Sequence, residues 1–215
     1  MQEHTQQHST QQAIIRTLRR DDHADLIDLV RQIWYPQCSQ RCGRLAATVD
    51  WETALSDATI AKVAEEEGHP IAVILGRVDR HDSRAAWNIH RRRALKALAA
   101  LAFSGEGRRI LADLLGIAAV DNRMFRRRRH DYPAEVTLFL VSPSARGLGL
   151  GKRLFNTLMD EFRAAGVHEY FLYTDTSCNV GFYEHLGLQK VDEQQFTEME
   201  PPQTIDEFYL YEGKA

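Results

Sequence analysis

At 215 residues the chain is long enough for one domain with a substantial core, or for a standard domain carrying an insertion. Hydrophobic residues at 44% and charged residues at 27% exclude a disordered or collagen-like chain, and no apolar run reaches the roughly 20 residues of a bilayer span. The net charge of −3 hides a segregation: Arg84 to His130 holds 12 Lys/Arg against 3 Asp/Glu, so the remainder is acidic.

Residues 1–12 are Gln- and His-rich with no apolar segment, so they are expected to form a mobile tail and not a secretory signal. Cys38, Cys42 and Cys178 give no disulfide framework, which with the missing signal predicts a cytoplasmic protein. Cys38 and Cys42 lack a second Cys/His pair nearby, so they read as ordinary thiols and no metal is expected.

Ile14 to Leu18 is a short β-branched strand. Asp21-Asp22 then opens a helix in which Ala24, Leu26, Ile27, Leu29, Val30 and Ile33 recur at helical spacing. The stretch through Pro36, Gly43 and Trp51 reads as irregular. Thr59 to Val63 and Ile71 to Val78 flank Glu67-Gly68-His69-Pro70 as a hairpin. Ser83 to Ala119 follows a 3.6-residue period broken at Ser104 to Gly107, which predicts two helices. Val136 to Val141 is a buried strand running directly into the helical pattern Gly147 to Ala165. His168 to Thr174 is a strand, Val180 to Leu186 a short helix, and Leu188 to Val191 and Phe208 to Glu212 are strands. The alternation makes the class α/β.

The chemistry concentrates in Arg146-Gly147-Leu148-Gly149-Leu150-Gly151-Lys152. Three alternating glycines between a buried strand and an amphipathic helix let unpaired N–H groups converge on phosphate oxygens, and Arg146 and Lys152 add cations. The nucleotide phosphate-loop pattern fails, because Arg153 follows Lys152. A dinucleotide fingerprint fails too, because its third glycine would fall on Lys152 or Leu154.

In this turn the sequence resembles the GNAT superfamily of N-acetyltransferases, whose pyrophosphate signature falls on Arg146, Gly149 and Gly151. A second segment, Asn179 to Leu188, resembles the family's other coenzyme-side motif, in which an Asn opens a short helix and Phe-Tyr precedes a Gly-hydrophobic pair. The resemblance is specific over Glu135 to Val191 and looser over Ile14 to Val78. It implies one domain over 13–215, with a mixed, mostly antiparallel sheet of six to seven strands flanked by helices. Residues 80–131 would then be a basic helical insertion between strands 3 and 4, longer than the family's usual connection. It also implies acetyl-CoA as cosubstrate, a small-molecule or peptide amine as acceptor, and no membrane partner. By this resemblance residues 146 to 152, with Leu148 and Leu150, hold the diphosphate. The backbone of Phe139, Leu140 and Val141 pairs with the pantetheine arm, and Asn179 would hydrogen-bond the same arm or cap its own helix. Glu135 would be the base, with Tyr35, Asp131 and Asp175 as substitutes, and Tyr183 would protonate or hydrogen-bond the coenzyme sulfur.

Two other readings share these residues. A coenzyme-sensing regulatory module would keep the Gly-rich turn and dispense with Tyr183. A nucleic-acid binder would use Arg91 to Arg93 and Arg126 to Arg129, but the runs lack interleaved aromatics and read as solvated helix faces. The insertion could instead cap the acceptor pocket or form a homodimer contact.

Overall fold

The computed structural model describes residues 13–79, 84–128, 130–195 and 207–215. The expected tail, residues 80–83 of the insertion and Arg129 of the second arginine run lie outside the described residues.

Among the described residues seven strands form one sheet: β1 (Ile14–Thr17), β2 (Ile60–Glu66), β3 (His69–Val78), β4 (Ala134–Val141), β5 (Glu169–Asp175), β6 (Gln189–Gln195) and β7 (Glu207–Lys214). The order is β1-β2-β3-β4-β5-β7-β6, and every pairing is antiparallel except β4 with β5. The helices are α1 (His23–Trp34), α2 (Gln40–Asp57), α3 (Arg84–Leu101), α4 (Gly105–Arg128), α5 (Leu150–Ala164) and α6 (Val180–His185). No helix among the described residues is long and apolar enough to cross a membrane.

Alternation along the strands builds a core on each face. Ala72, Ile74, Tyr170, Leu172, Tyr209 and Tyr211 point towards α5, whose Leu154, Phe155, Leu158 and Phe162 recur at helical spacing. Val73, Leu75, Leu138 and Leu140 point the other way, into α1, α2 and α3. A third cluster joins Val120 and Met124 of α4 to Phe171, Phe208 and Leu210. The two insertion helices therefore cover sheet that would otherwise be wet.

The stretch read as irregular is the 18-residue helix α2, a correction to the expectation. Ser39 caps it by accepting from the Cys42 N–H, and Ala46, Ala47, Val49, Trp51 and Leu55 are buried around most of its circumference. Likewise α4 runs nine residues past the expected end at Ala119, because Val120 and Met124 bury against the sheet.

Both arginine runs are partly spent inside the molecule. Arg93 lies 3.4 Å from the buried carboxylate of Glu52, which also meets His90, and Arg127 lies 3.0 Å from Asp192. These pairs tie α3 to α2 and α4 to β6.

α5 crosses β3 closely at Gly76. A Cβ there would stand 2.7 Å from Leu158 Cδ1 and 2.9 Å from Phe162 Cε1, both on side chains with no exposed surface to retreat into. Gly76→Val is accordingly expected to destabilise the fold by about 2 kcal/mol. A thermal melt unchanged from the parent would contradict that contact.

Candidate active site

The turn after β4 is built as the glycines require. Gly147 and Gly149 have φ of +80° and +73°, a left-handed conformation that a side chain strains. Gly149 is the N-cap of α5 and offers no side chain to its first turn. The N–H groups of Leu150, Gly151 and Lys152 therefore open outward, at the positive end of the helix dipole. Leu150 itself is 4% exposed, so its side chain belongs to the core and only its main chain faces the turn. Leu148 is 70% exposed, and Arg146 Nε donates to the Val141 carbonyl at 3.3 Å.

This helix mouth sits on an opening in the sheet. β4 and β5 pair at one register position only, Glu135 with Phe171, and beyond it the two strands run on without ladder partners between them. On the other side Ser142 N–H bonds to Ile71 O at 2.8 Å, which fixes the alternation along β4. It sends the main-chain groups of Leu140 to β3 and those of Phe139 and Val141 into the opening. Leu140 also buries its side chain, so Phe139 and Val141 are the pair presented to a ligand. A Cβ built on Gly151 would lie 3.5 to 3.6 Å from Phe139, Phe182 and Val141, so the mouth of α5 and the open strand edge meet.

The register of β3 with β4 slips at Thr137, leaving Leu138 opposite Leu75 and Val136 opposite Gly76. This bulge reverses the alternation: Ala134 and Val136 face α5 before it, and Phe139 and Val141 do so after it. Glu135 consequently points to the opposite face, where α1 to α4 pack. There Arg77 Nη1 lies 3.0 Å from Glu135 Oε2 and Arg77 Nε 2.9 Å from Asp79 Oδ1. Burial pushes the Glu135 carboxyl up to about 7; Arg77 opposes the rise, and Asp57 and Asp79 add to it. A carboxyl half-ionised at neutral pH suits proton acceptance.

Tyr183 lies on α6 in the aromatic cluster of Phe155, Phe182 and Tyr211, 8% exposed. Burial, then the neighbouring Cys178, raises its phenol above the ordinary value, so it stays protonated and keeps an O–H to donate. Asn179 is exposed at the N-cap of α6 and makes no side-chain cap bond, which leaves its amide for another partner. Of the three substitutes for the base, two are engaged elsewhere and one is exposed. The Tyr35 hydroxyl donates to Asp50 at 2.6 Å between α1 and α2, Asp131 is exposed in the loop before β4, and Asp175 accepts from Ser177 N–H at 2.7 Å.

A family model described as Acetyltransferase (GNAT) family matches residues 24–188. The chain belongs to the GNAT acetyltransferase family. Comparison with curated proteins gives no significant match. Among solved structures, this GNAT chain is similar to a Drosophila melanogaster polyamine N-acetyltransferase that catalyses the formation of N-acetylagmatine. That pair has a TM-score of 0.62 and 18% identity, with 95% of this chain and 100% of the other covered. An agmatine N-acetyltransferase gives a TM-score of 0.59 at 17% identity, over 94% of this chain and 99% of the other. A mosquito arylalkylamine N-acetyltransferase-like protein gives 0.55 at 15% identity, over 95% and 100%. These likenesses establish the GNAT fold with its mostly antiparallel seven-stranded sheet. The family takes its acetyl group from acetyl-CoA.

Three residues beside the candidate site were not singled out in the sequence. Arg77 faces Glu135 across the β3–β4 ladder. Tyr173 donates its hydroxyl to the main-chain oxygen of Asp121 at 3.0 Å, fixing α4 over β5. Asp121 itself is raised to about 7 by burial, then by the charges of Glu135 and Asp175. Arg77 could have been found from alternation along β3. Asp121, one of three acids in a basic segment, carried no local signal.

Proposed function

We propose that the protein transfers the acetyl group of acetyl-CoA to a primary amine, on a small molecule or a peptide, by direct attack in a ternary complex. The observation that carries this is the meeting of the uncapped α5 mouth with the one-pair opening between β4 and β5. The residues present fit the coenzyme. The N–H groups of Leu150, Gly151 and Lys152 take the diphosphate, with Arg146, Gly147, Leu148 and Gly149 shaping the turn. Phe139 and Val141 add the pantetheine arm to the sheet edge as a strand would be added, and Asn179 meets the same arm.

Bound acetyl-CoA supplies a thioester activated towards amines. Glu135, on the far side of the bulge, accepts the proton that an ammonium must lose before it can attack, directly or through water. A main-chain N–H of the open β4 edge polarises the acyl oxygen as negative charge develops there. The Tyr183 hydroxyl donates to the departing sulfur. Because burial holds its proton more tightly than a thiol holds one, it stabilises the thiolate chiefly as a hydrogen-bond donor.

A thiol-release assay with acetyl-CoA and a panel of amines tests this. Tyr183→Phe is expected to lower kcat about 100-fold while leaving the affinity for acetyl-CoA within about threefold. Acetylation unaltered by that change would remove the role of Tyr183. Coenzyme binding with no turnover of any amine would instead favour the sensing module.

A further inference from the structure

The insertion supplies Asp121 to the face that Glu135 occupies. Asp121 sits in the last third of α4, held over the sheet by the buried neighbours Val120 and Met124 and by the bond from Tyr173 Oη to its own main-chain oxygen. Its Oδ1 is buried and, among the described residues, makes no hydrogen bond. The charges that act on it, Glu135 and Asp175, have its own sign. The nearest cation to Glu135, Arg77, forms ion pairs with Glu135 and Asp79, although its buried Nε makes no hydrogen bond among the described residues.

A monoamine substrate does not correct this imbalance. The reacting nitrogen must become neutral to attack, and its proton goes to Glu135, so one ammonium offsets one carboxylate. A buried carboxylate oxygen without a partner is costly, and a ligand that supplies the partner gains a charge-assisted hydrogen bond in a low-dielectric site. We propose that Asp121 binds a second cationic group of the acceptor, so that the enzyme acetylates one end of a diamine in preference to a monoamine. This rests on the acetyl-transfer reading above and names the acceptor class for that same site. It also gives the insertion a function: α4 carries acidic recognition inward while Arg127 pairs with Asp192 of β6 and Arg108, Arg109, Arg123 and Arg126 are exposed.

The test compares kcat/KM for diaminobutane and butylamine at pH 8, where Asp121 is ionised, in the parent, Asp121→Asn, Asp121→Glu and Asp160→Asn. Asp160, exposed on α5 and paired with Arg163, controls for the change in net charge. The parent is expected to favour the diamine about 10- to 100-fold, mainly through KM, the worth of one charge-assisted hydrogen bond. Asp121→Asn brings the ratio to within about threefold of one, Asp121→Glu restores part of it and Asp160→Asn keeps it whole. A ratio unchanged in Asp121→Asn, or near one in the parent, overturns the assignment. Calorimetric titration with diaminobutane separates this from the underlying reading. Asp121-dependent binding without acetylation sinks the transferase and keeps the recognition role; acetylation of both amines without preference does the reverse; neither binding nor acetylation of diaminobutane sinks both.

Discussion

Glu135→Gln is expected to lower kcat/KM for amine acetylation about 10²- to 10⁴-fold, the range that a positioned general base contributes. The substitution keeps shape but removes the ability to take a proton, together with the charge that pairs with Arg77. The pH profile distinguishes this from a packing defect. With the Glu135 carboxyl at about 7, the parent is half-competent at neutral pH; its activity falls about tenfold per unit below that and levels above it. The direction follows from the ionised form being the active one, while burial favours the protonated form. In Glu135→Gln the limb near 7 disappears, and residual activity climbs with the free-amine fraction towards the substrate's own pKa, about 10 for an alkyl amine. A variant that kept a limb near 7 would assign that titration to another carboxyl that burial raises to the same range, Asp121 of α4 or Asp50 of α2.

Gly149→Val is expected to weaken acetyl-CoA binding about 100-fold. Two costs combine: a β-branched residue forced to φ +73° is strained by about 1–3 kcal/mol, and its side chain projects where the diphosphate has to approach. A Cβ at Gly149 meets no protein atom within 4 Å, so the space it would fill lies outside the fold, on the ligand's side. Gly68→Val is the matched control. Gly68 has φ +87° in the β2–β3 turn, with open space around its Cβ, so it suffers the same backbone strain without touching the site. Equal losses of affinity in the two variants would mean that general destabilisation, and not the turn, is being measured.

Much of the coenzyme side was legible because its signals are local. Alternating glycines, a short apolar strand before them and a helical stripe after them are consecutive in the chain, and the structure sets β4, the turn and α5 where that pattern implies. The rest depends on tertiary packing. α2 contains a glycine and follows a proline, both breaking signals, yet it forms because the site of Gly43 lets α1 approach: a Cβ there would be 3.3 Å from Arg31 Cγ and from Cys38 Cβ. The bulge at Thr137 interrupts a continuous apolar run whose composition cannot show which face each residue takes. β6 runs to Gln195 through polar residues that an edge strand tolerates but that carry no strand pattern, beyond the expected end at Val191. Asp121 is recognisable only once α4 is seen lying over β5 and β7.

Amide hydrogen exchange read residue by residue, with and without saturating coenzyme A, tests the site most directly. The arrangement described predicts slowed exchange at Phe139 and Val141 on the open edge of β4 and at Leu150, Gly151 and Lys152 in the first turn of α5. Tight binding that leaves these five amides unchanged, or protects a different surface, would contradict it.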